Sequence, residues 1–112
     1  MEIAIRTQAD VSLVALVGHL DTNTSAAAQE ALNGLLAGGS RKIVVDCTTL
    51  EYISSAGLRV LLGTVKVLER DGGVLHLFGL NETVREVFDI SGFSMILPVF
   101  GTEEDALRGL LG

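Results

Sequence analysis

The fold of this chain is decided by Ile43-Val44-Val45-Asp46 and, after a short polar connector, by Tyr52-Ile53-Ser54-Ser55-Ala56-Gly57-Leu58. The β-branched run from Ile43 to Val45 predicts a buried central strand. The serine pair predicts the start of a helix, since serine is a preferred N-cap residue. A helix start presents unpaired N–H groups and the positive end of the helix dipole. A phosphoryl group on a serine at this position would therefore be favoured.

Patterns on both sides of this stretch predict alternating strands and helices. In chain order they are strands at 2–7 and 13–17, a helix at 24–38, the strand at 43–45, a helix from the serines to Asp71, a strand at 74–78, a short helix capped by Asn81, an edge strand within 95–100 and a last helix capped by Thr102. Strand–helix–strand units imply parallel neighbours, and the opening pair of strands is expected to be antiparallel. We therefore expect an α/β fold with a single mixed β-sheet of four to five strands flanked by about four helices, in one domain over residues 1–112.

The composition of the chain disfavours several classes of function. The net charge is −6 and the basic residues are scattered, which disfavours nucleic-acid binding. The longest apolar runs have the length of a strand and are too short for a membrane span. The single cysteine, Cys47, and the absence of an apolar signal core predict a cytoplasmic protein.

Few motifs suggest catalysis. No glycine lies two residues before either serine, so the nucleophile-elbow pattern is absent. A triad can be drawn from Ser55, His76 and Asp46, but the sequence supplies no geometry for it. Phosphate-loop, dinucleotide-binding and metal-ligand spacings are also missing. We therefore expect no enzyme activity, no cofactor and no metal, and a small hydrolase remains a weak alternative.

The serine pair itself has two interpretations. One serine at a helix start needs no function beyond capping, which contributes about 1 kcal/mol relative to alanine. Two serines followed by the small residues Ala56 and Gly57 leave the helix start open to a partner, which favours a phosphorylation site. The residues alone leave both interpretations open.

At these residues the chain resembles a STAS domain of the anti-sigma factor antagonist family. Residues 17–25, Val-Gly-His-Leu-Asp-Thr-Asn-Thr-Ser, are similar to the family's Gly-x-Leu-Asp-x-x-Thr turn between strand 2 and helix 1. Residues 44–58 are similar to its buried strand, aspartate and (Asp/Ser)-Ser-x-Gly-Leu loop. The order of elements agrees over essentially the whole chain.

This resemblance implies a partner-switching regulator of transcription. Such a protein binds an anti-sigma factor that is also a serine-protein kinase, is released when that kinase phosphorylates it, and is restored by a PP2C-type serine phosphatase. The resemblance assigns the phosphoserine to Ser55, with Ser54 as the alternative, and Asp21 to the loop beside it. In an interface, Asp21, Asp46 or Glu51 would then repel the phosphate. The expected partner-binding residues are Asp21, Thr22, Asn23, Thr24, Ser54, Ser55, Ala56, Gly57, Leu58 and Arg59. The alternative is a soluble STAS subunit of a transport or other multiprotein assembly without a phospho-switch.

Overall fold

The structure, a computed structural model, describes residues 1–111 and contains one six-stranded sheet with four α-helices. The strands are β1 (Glu2–Gln8), β2 (Val11–Leu20), β3 (Lys42–Asp46), β4 (Leu50–Ile53), β5 (Val74–Phe78) and β6 (Val99–Phe100). The helices are α1 (Ser25–Ala37), α2 (Ser55–Arg70), α3 (Glu82–Ser91) and α4 (Glu103–Leu107), with a single 3-10 turn at Phe93–Met95. The predicted α/β class with a mixed sheet is confirmed.

The strands are ordered β1-β2-β3-β5-β6, which places β3 in the middle as predicted. The β1–β2 pair is antiparallel and the remaining pairs are parallel, as expected for strands joined through helices. Strand β4 pairs with the last part of β2, beyond the end of β3. The ten-residue β2 is therefore shared between two parallel neighbours.

Alternation along the strands gives the sheet two apolar faces. One face carries the larger core, in which Val45 and Leu77 pack against α2 residues such as Leu61 and Val65. The other face carries a smaller core, in which Val44 packs with Leu107 of α4 and its neighbours. Because α2 and α4 cover opposite faces, groups attached to these two helices are separated by the sheet.

Of the three predicted helix caps, two make a capping hydrogen bond and one does not. Asn81 caps α3 through a bond from the Val84 N–H to its Oδ1, at 2.7 Å. Thr102 caps α4 through the Asp105 N–H, at 3.1 Å. Ser54 occupies the N-cap position of α2, but its side chain makes no capping hydrogen bond.

Three strands differ from the prediction, and the first of them is β2, which spans Val11–Leu20 where the pattern predicts 13–17. Residues 50–53, for which the sequence predicts no strand, form β4, in which only Leu50 and Ile53 are buried. The strand predicted within 95–100 is reduced to Val99–Phe100, because Met95 belongs to the 3-10 turn and Pro98 directly precedes Val99. This last strand lies at the sheet edge, where a preceding proline removes no ladder bond from a central strand.

Candidate functional site

The candidate site forms where β2 and β4 end side by side. Leu20 and Ile53 are paired as the last residues of these parallel strands. One residue further, the Ser54 N–H donates to the Leu20 carbonyl oxygen at 2.9 Å. The loop that begins at Asp21 and the start of α2 therefore emerge next to each other.

Gly57 determines how closely α2 approaches this strand pair. A Cβ at this position would lie 2.7 Å from Leu20 Cγ, 2.8 Å from Ile53 Cγ1 and 2.8 Å from the Leu20 carbonyl oxygen. Such contacts are too short for any residue with a side chain. The glycine in the serine motif is thus explained by packing, since it lets the first turn of α2 rest on the ends of β2 and β4.

Hydrogen bonds hold the loop after β2 in a defined conformation. The Asp21 N–H donates to Thr24 Oγ1 at 2.9 Å, and that hydroxyl donates to the His19 carbonyl oxygen at 2.7 Å. Asp21 Oδ1 accepts from the Asn23 N–H at 2.9 Å. The carboxylate of Asp21 is therefore positioned by a hydrogen bond within its own loop.

The two serines have different environments. Ser55, the first residue of α2, is exposed. Ser54 is half-buried, and its Oγ is inaccessible to solvent and has no hydrogen-bond partner among the described residues. Of the two serines, Ser55 is therefore the one that is exposed to solvent, and the Ser54 hydroxyl is not.

The predicted partner-facing residues fall into three groups. The exposed group contains Thr22, Asn23, Ser55 and Arg59. The half-buried group contains Asp21, Thr24, Ser54 and Ala56, and the buried group contains Gly57 and Leu58. Leu58 is 4% exposed and belongs to the larger core. Gly57 and Leu58 therefore shape the site by packing beneath it, while the exposed members form its surface.

Comparison with known proteins identifies the family. The STAS domain family model matches residues 2–106. The chain belongs to the STAS domain family.

Its relatives include proteins named as anti-sigma factor antagonists. BtrV of Bordetella bronchiseptica, an anti-sigma factor antagonist by name, is 52% identical over 68 residues, which cover 61% of this chain and 59% of that protein. The anti-sigma-B factor antagonist of Staphylococcus aureus is 30% identical over 104 residues, covering 92% of this chain and 96% of that one. A crystal structure of an anti-sigma factor antagonist from Mycobacterium paratuberculosis shares the fold, with a TM-score of 0.87 at 24% identity over 95% of this chain and 90% of that one.

One acidic residue that the resemblance led us to expect near the serines lies elsewhere. Asp46 is paired with Ala15 of β2. Ala15 precedes Leu20 by five residues, so the two lie about 16 Å apart along the strand at ~3.3 Å per residue. Its Oδ1 accepts from the N–H and the hydroxyl of Thr48, at 2.8 and 2.7 Å. Asp21, which directly follows Leu20, is the aspartate that lies beside the serines.

The triad drawn from the sequence is not assembled. His76 lies on the sheet face that α4 covers, and its Nδ1 is 2.8 Å from the Ala106 carbonyl oxygen. Ser55 begins α2, which packs on the opposite face. The sheet therefore separates the serine from the histidine, so this set cannot act as a nucleophile and base.

A polar patch beside the site was not predicted. His19 and Tyr52 are cross-strand partners, with ring centroids 6.1 Å apart in an edge arrangement. His19 Nε2 lies 3.2 Å from Glu51 Oε2, and both side chains are largely exposed. Only the pairing of β4 with β2, which was not predicted, brings His19, Glu51 and Tyr52 together.

The part of the chain that the structure describes lacks a metal-binding cluster and a membrane-spanning helix. Within residues 1–111, no group of three or more His, Cys, Asp and Glu side chains could hold a metal ion. No helix of this part is long and apolar enough to cross a membrane.

Proposed function

We propose that this STAS domain is an anti-sigma factor antagonist whose binding is switched by phosphorylation of Ser55. In this proposal the unmodified protein binds an anti-sigma factor that is also a serine-protein kinase. Phosphorylation by that kinase ends the complex, and a PP2C-type phosphatase restores it. The protein itself acts by binding and not by catalysis, which regulates transcription indirectly.

The contrast between the two serines carries the proposal. Ser55 is an exposed residue at the start of α2, whereas Ser54 Oγ is inaccessible. A kinase must reach the hydroxyl oxygen to transfer a phosphoryl group to it. Exposure therefore favours Ser55 over Ser54 as the acceptor and agrees with the assignment implied by the family motif.

The electrostatics of α2 favour a phosphate that leaves the fold intact. The first turn of α2 contains no acidic residue, so no carboxylate of the helix itself compensates the positive end of its dipole. Arg59 is exposed four residues after Ser55, at the spacing that places two side chains next to each other on a helix. In the free protein, the added charge of about −1.5 to −2 is therefore stabilised locally.

Within a complex the same charge acts against binding. A partner that covers Ser55 and the Asp21 loop would have to desolvate the phosphate beside the Asp21 carboxylate. A penalty of about 2.8 kcal/mol weakens binding roughly a hundredfold. A local charge at a rigid surface is thus sufficient for a switch without refolding.

The test combines a serine-kinase anti-sigma factor, ATP and intact-mass measurement of the antagonist. Wild type and Ser54→Ala should each gain one phosphate, and Ser55→Ala should gain none. Calorimetric titration without ATP hydrolysis should show Ser55→Ala binding as wild type does, and Ser55→Asp binding more weakly. Because one carboxylate copies only part of a phosphate's charge, the Ser55→Asp effect should be smaller than that of phosphorylation.

Two results would count against the proposal. If Ser54→Ala removes the phosphate and Ser55→Ala retains it, the acceptor is assigned one residue too late. If no serine of this pair is modified and the protein still binds a partner, the subunit alternative without a phospho-switch replaces it. Ser94→Ala, at a half-buried serine of the 3-10 turn, is a suitable control for nonspecific effects of losing a hydroxyl.

A further inference from the structure

Strand β1 is a long, open edge of the sheet. It has seven residues and stands at the end of the strand order, with β2 on one side only. Of its residues only Ile3 is partly buried, and Ile5 is 46% exposed. An edge of this length presents a row of unpaired backbone groups to which another strand can add.

The sequence of β1 is complementary to itself in an antiparallel arrangement. If Ala4 faces Ala4 of a second copy, Glu2 lies opposite Arg6 of that copy, and Arg6 lies opposite its Glu2. In the same arrangement Ile3 and Ile5 lie opposite each other. Opposite charges then meet on one face of the extended sheet and apolar residues meet on the other, as favourable cross-strand pairs require.

Other pairings of the same two strands lose this match. A parallel in-register pair would put Glu2 opposite Glu2 and Arg6 opposite Arg6, which is unfavourable. An antiparallel pair centred on Ile5 puts Glu2 opposite Gln8 and Arg6 opposite Ala4, and one centred on Ile3 puts Glu2 opposite Ala4 and leaves Arg6 without a facing residue of β1, so neither pairs the charges. The pattern of charges thus selects one direction and one register.

The neighbours of β1 accommodate a second strand. Ile3 packs against the larger core, so an isoleucine from a second copy would extend that core beyond the present edge. The Arg6 guanidinium contacts the Glu103 carboxylate of α4, and both side chains are partly exposed. A guanidinium has five N–H donors and can therefore bind a second carboxylate without losing the first.

We propose that two copies of this chain associate through β1, antiparallel and centred on Ala4, to form one continuous sheet. The occupant of the edge is a second copy because the edge is charge-complementary to itself. This inference does not depend on Ser55, and its test does not involve phosphorylation.

The experiment is a charge swap measured by sedimentation velocity on a chain without an N-terminal tag. Wild type should dimerise reversibly. Glu2→Arg and Arg6→Glu should each weaken the dimer by about tenfold or more, because each turns both charge pairs into like charges. The double variant E2R/R6E should recover wild-type dimerisation, and a mixture of the two single variants should form a mixed dimer.

Matched controls separate the edge from net charge and from folding. Glu86→Arg and Arg85→Glu, on exposed positions of α3, make the same changes in net charge and should leave the dimer intact. Glu103→Gln removes the intrachain partner of Arg6 and should also leave it intact. Amide exchange gives a second measurement, since β1 amides should gain protection as wild-type concentration rises.

Three results would overturn the inference. One is a wild-type protein that stays monomeric at about 1 mM, a concentration at which even weak specific dimers form. Another is a dimer whose affinity the single swaps leave unchanged. The third is a double variant that fails to recover while its thermal melt remains cooperative.

Discussion

Replacing Gly57 with alanine tests the packing that positions the site. The added methyl group would lie within 3.0 Å of three atoms, one of which is a backbone oxygen of β2. Overpacking of this kind costs about 1–3 kcal/mol. A better helix propensity for alanine returns up to about 1 kcal/mol, so a net loss of ~1–2 kcal/mol is expected.

Thermal unfolding followed by circular dichroism measures this loss. For a domain of this size, 1 kcal/mol corresponds to about 4–8 °C in Tm, so Gly57→Ala should melt roughly 5–10 °C below wild type. The same substitution should weaken partner binding, since α2 must move away from Leu20 and carry Ser55 away from the Asp21 loop. Binding should fall even at temperatures where the variant is fully folded.

Gly63 provides a matched control within the same helix. A Cβ at Gly63 would meet no atom within 4 Å. Gly63 lies in the middle of α2 and is exposed to solvent. Gly63→Ala should therefore stabilise the protein by about 0.5–1 kcal/mol and leave binding unchanged. If Gly57→Ala melts as high as Gly63→Ala, close contact with β2 and β4 does not explain the glycine.

Three further predictions concern single groups. Ser54→Ala should keep or raise stability by up to ~1 kcal/mol in urea titrations, because it removes a buried hydroxyl without a partner; a loss of ~1 kcal/mol would instead indicate a capping bond. Phosphorylation of Ser55 should hold or raise the Tm of the isolated protein, because the phosphate meets the α2 dipole and Arg59; a marked fall would show that the switch acts by unfolding. Burial, with a smaller contribution from the Asp46 charge, raises the pKa of the Cys47 thiol from 9.0 to about 12. Because the folded-state pKa is the higher one, the thiol's contribution to stability is retained below pH ~9 and lost as the pH rises toward ~12. In that range the free energy of unfolding of wild type should fall by up to ~1.4 kcal/mol per pH unit relative to Cys47→Ala. If the free energies of unfolding of the two proteins change in parallel with pH, the thiol is not buried as described.

The features predicted correctly from the sequence are those that local patterns determine. The central strand at Ile43 to Val45 follows from its unbroken β-branched run, and α2 follows from apolar residues at helical spacing. The caps at Asn81 and Thr102 were predicted from residue type and confirmed by their hydrogen bonds. Each of these elements is specified by residues adjacent in the chain.

The missed features depend on contacts between distant segments. In β4, Leu50 and Ile53 are buried and the two residues between them are exposed, so the strand shows no period of two. Its pairing with β2 also shifts register between Gly18 and His19, and Gly18 has a φ of +102° that favours glycine. Without β4, the sequence could not place Tyr52 beside His19.

The difference between Ser54 and Ser55 has the same origin. Both serines suit a helix start, so residue type cannot separate them. The Ser54 N–H is bound to the Leu20 carbonyl, which places this residue at the strand ends, and Ser55 begins the first turn of α2. The exposure of Ser55 and the burial of the Ser54 hydroxyl follow from this tertiary contact.

The same contact suggests why the proposed switch needs no conformational change. Leu20 precedes Asp21 directly, pairs with Ile53, accepts the Ser54 N–H and packs under Gly57. The Asp21 carboxylate and the Ser55 hydroxyl are therefore held on one rigid support that is buried in the core. A phosphate on Ser55 would be attached to this support, so a partner covering both residues must accommodate the two charges together. Asp21→Asn should then reduce the effect of Ser55 phosphorylation on binding, and an effect equal to that in wild type would show that Asp21 takes no part in the repulsion.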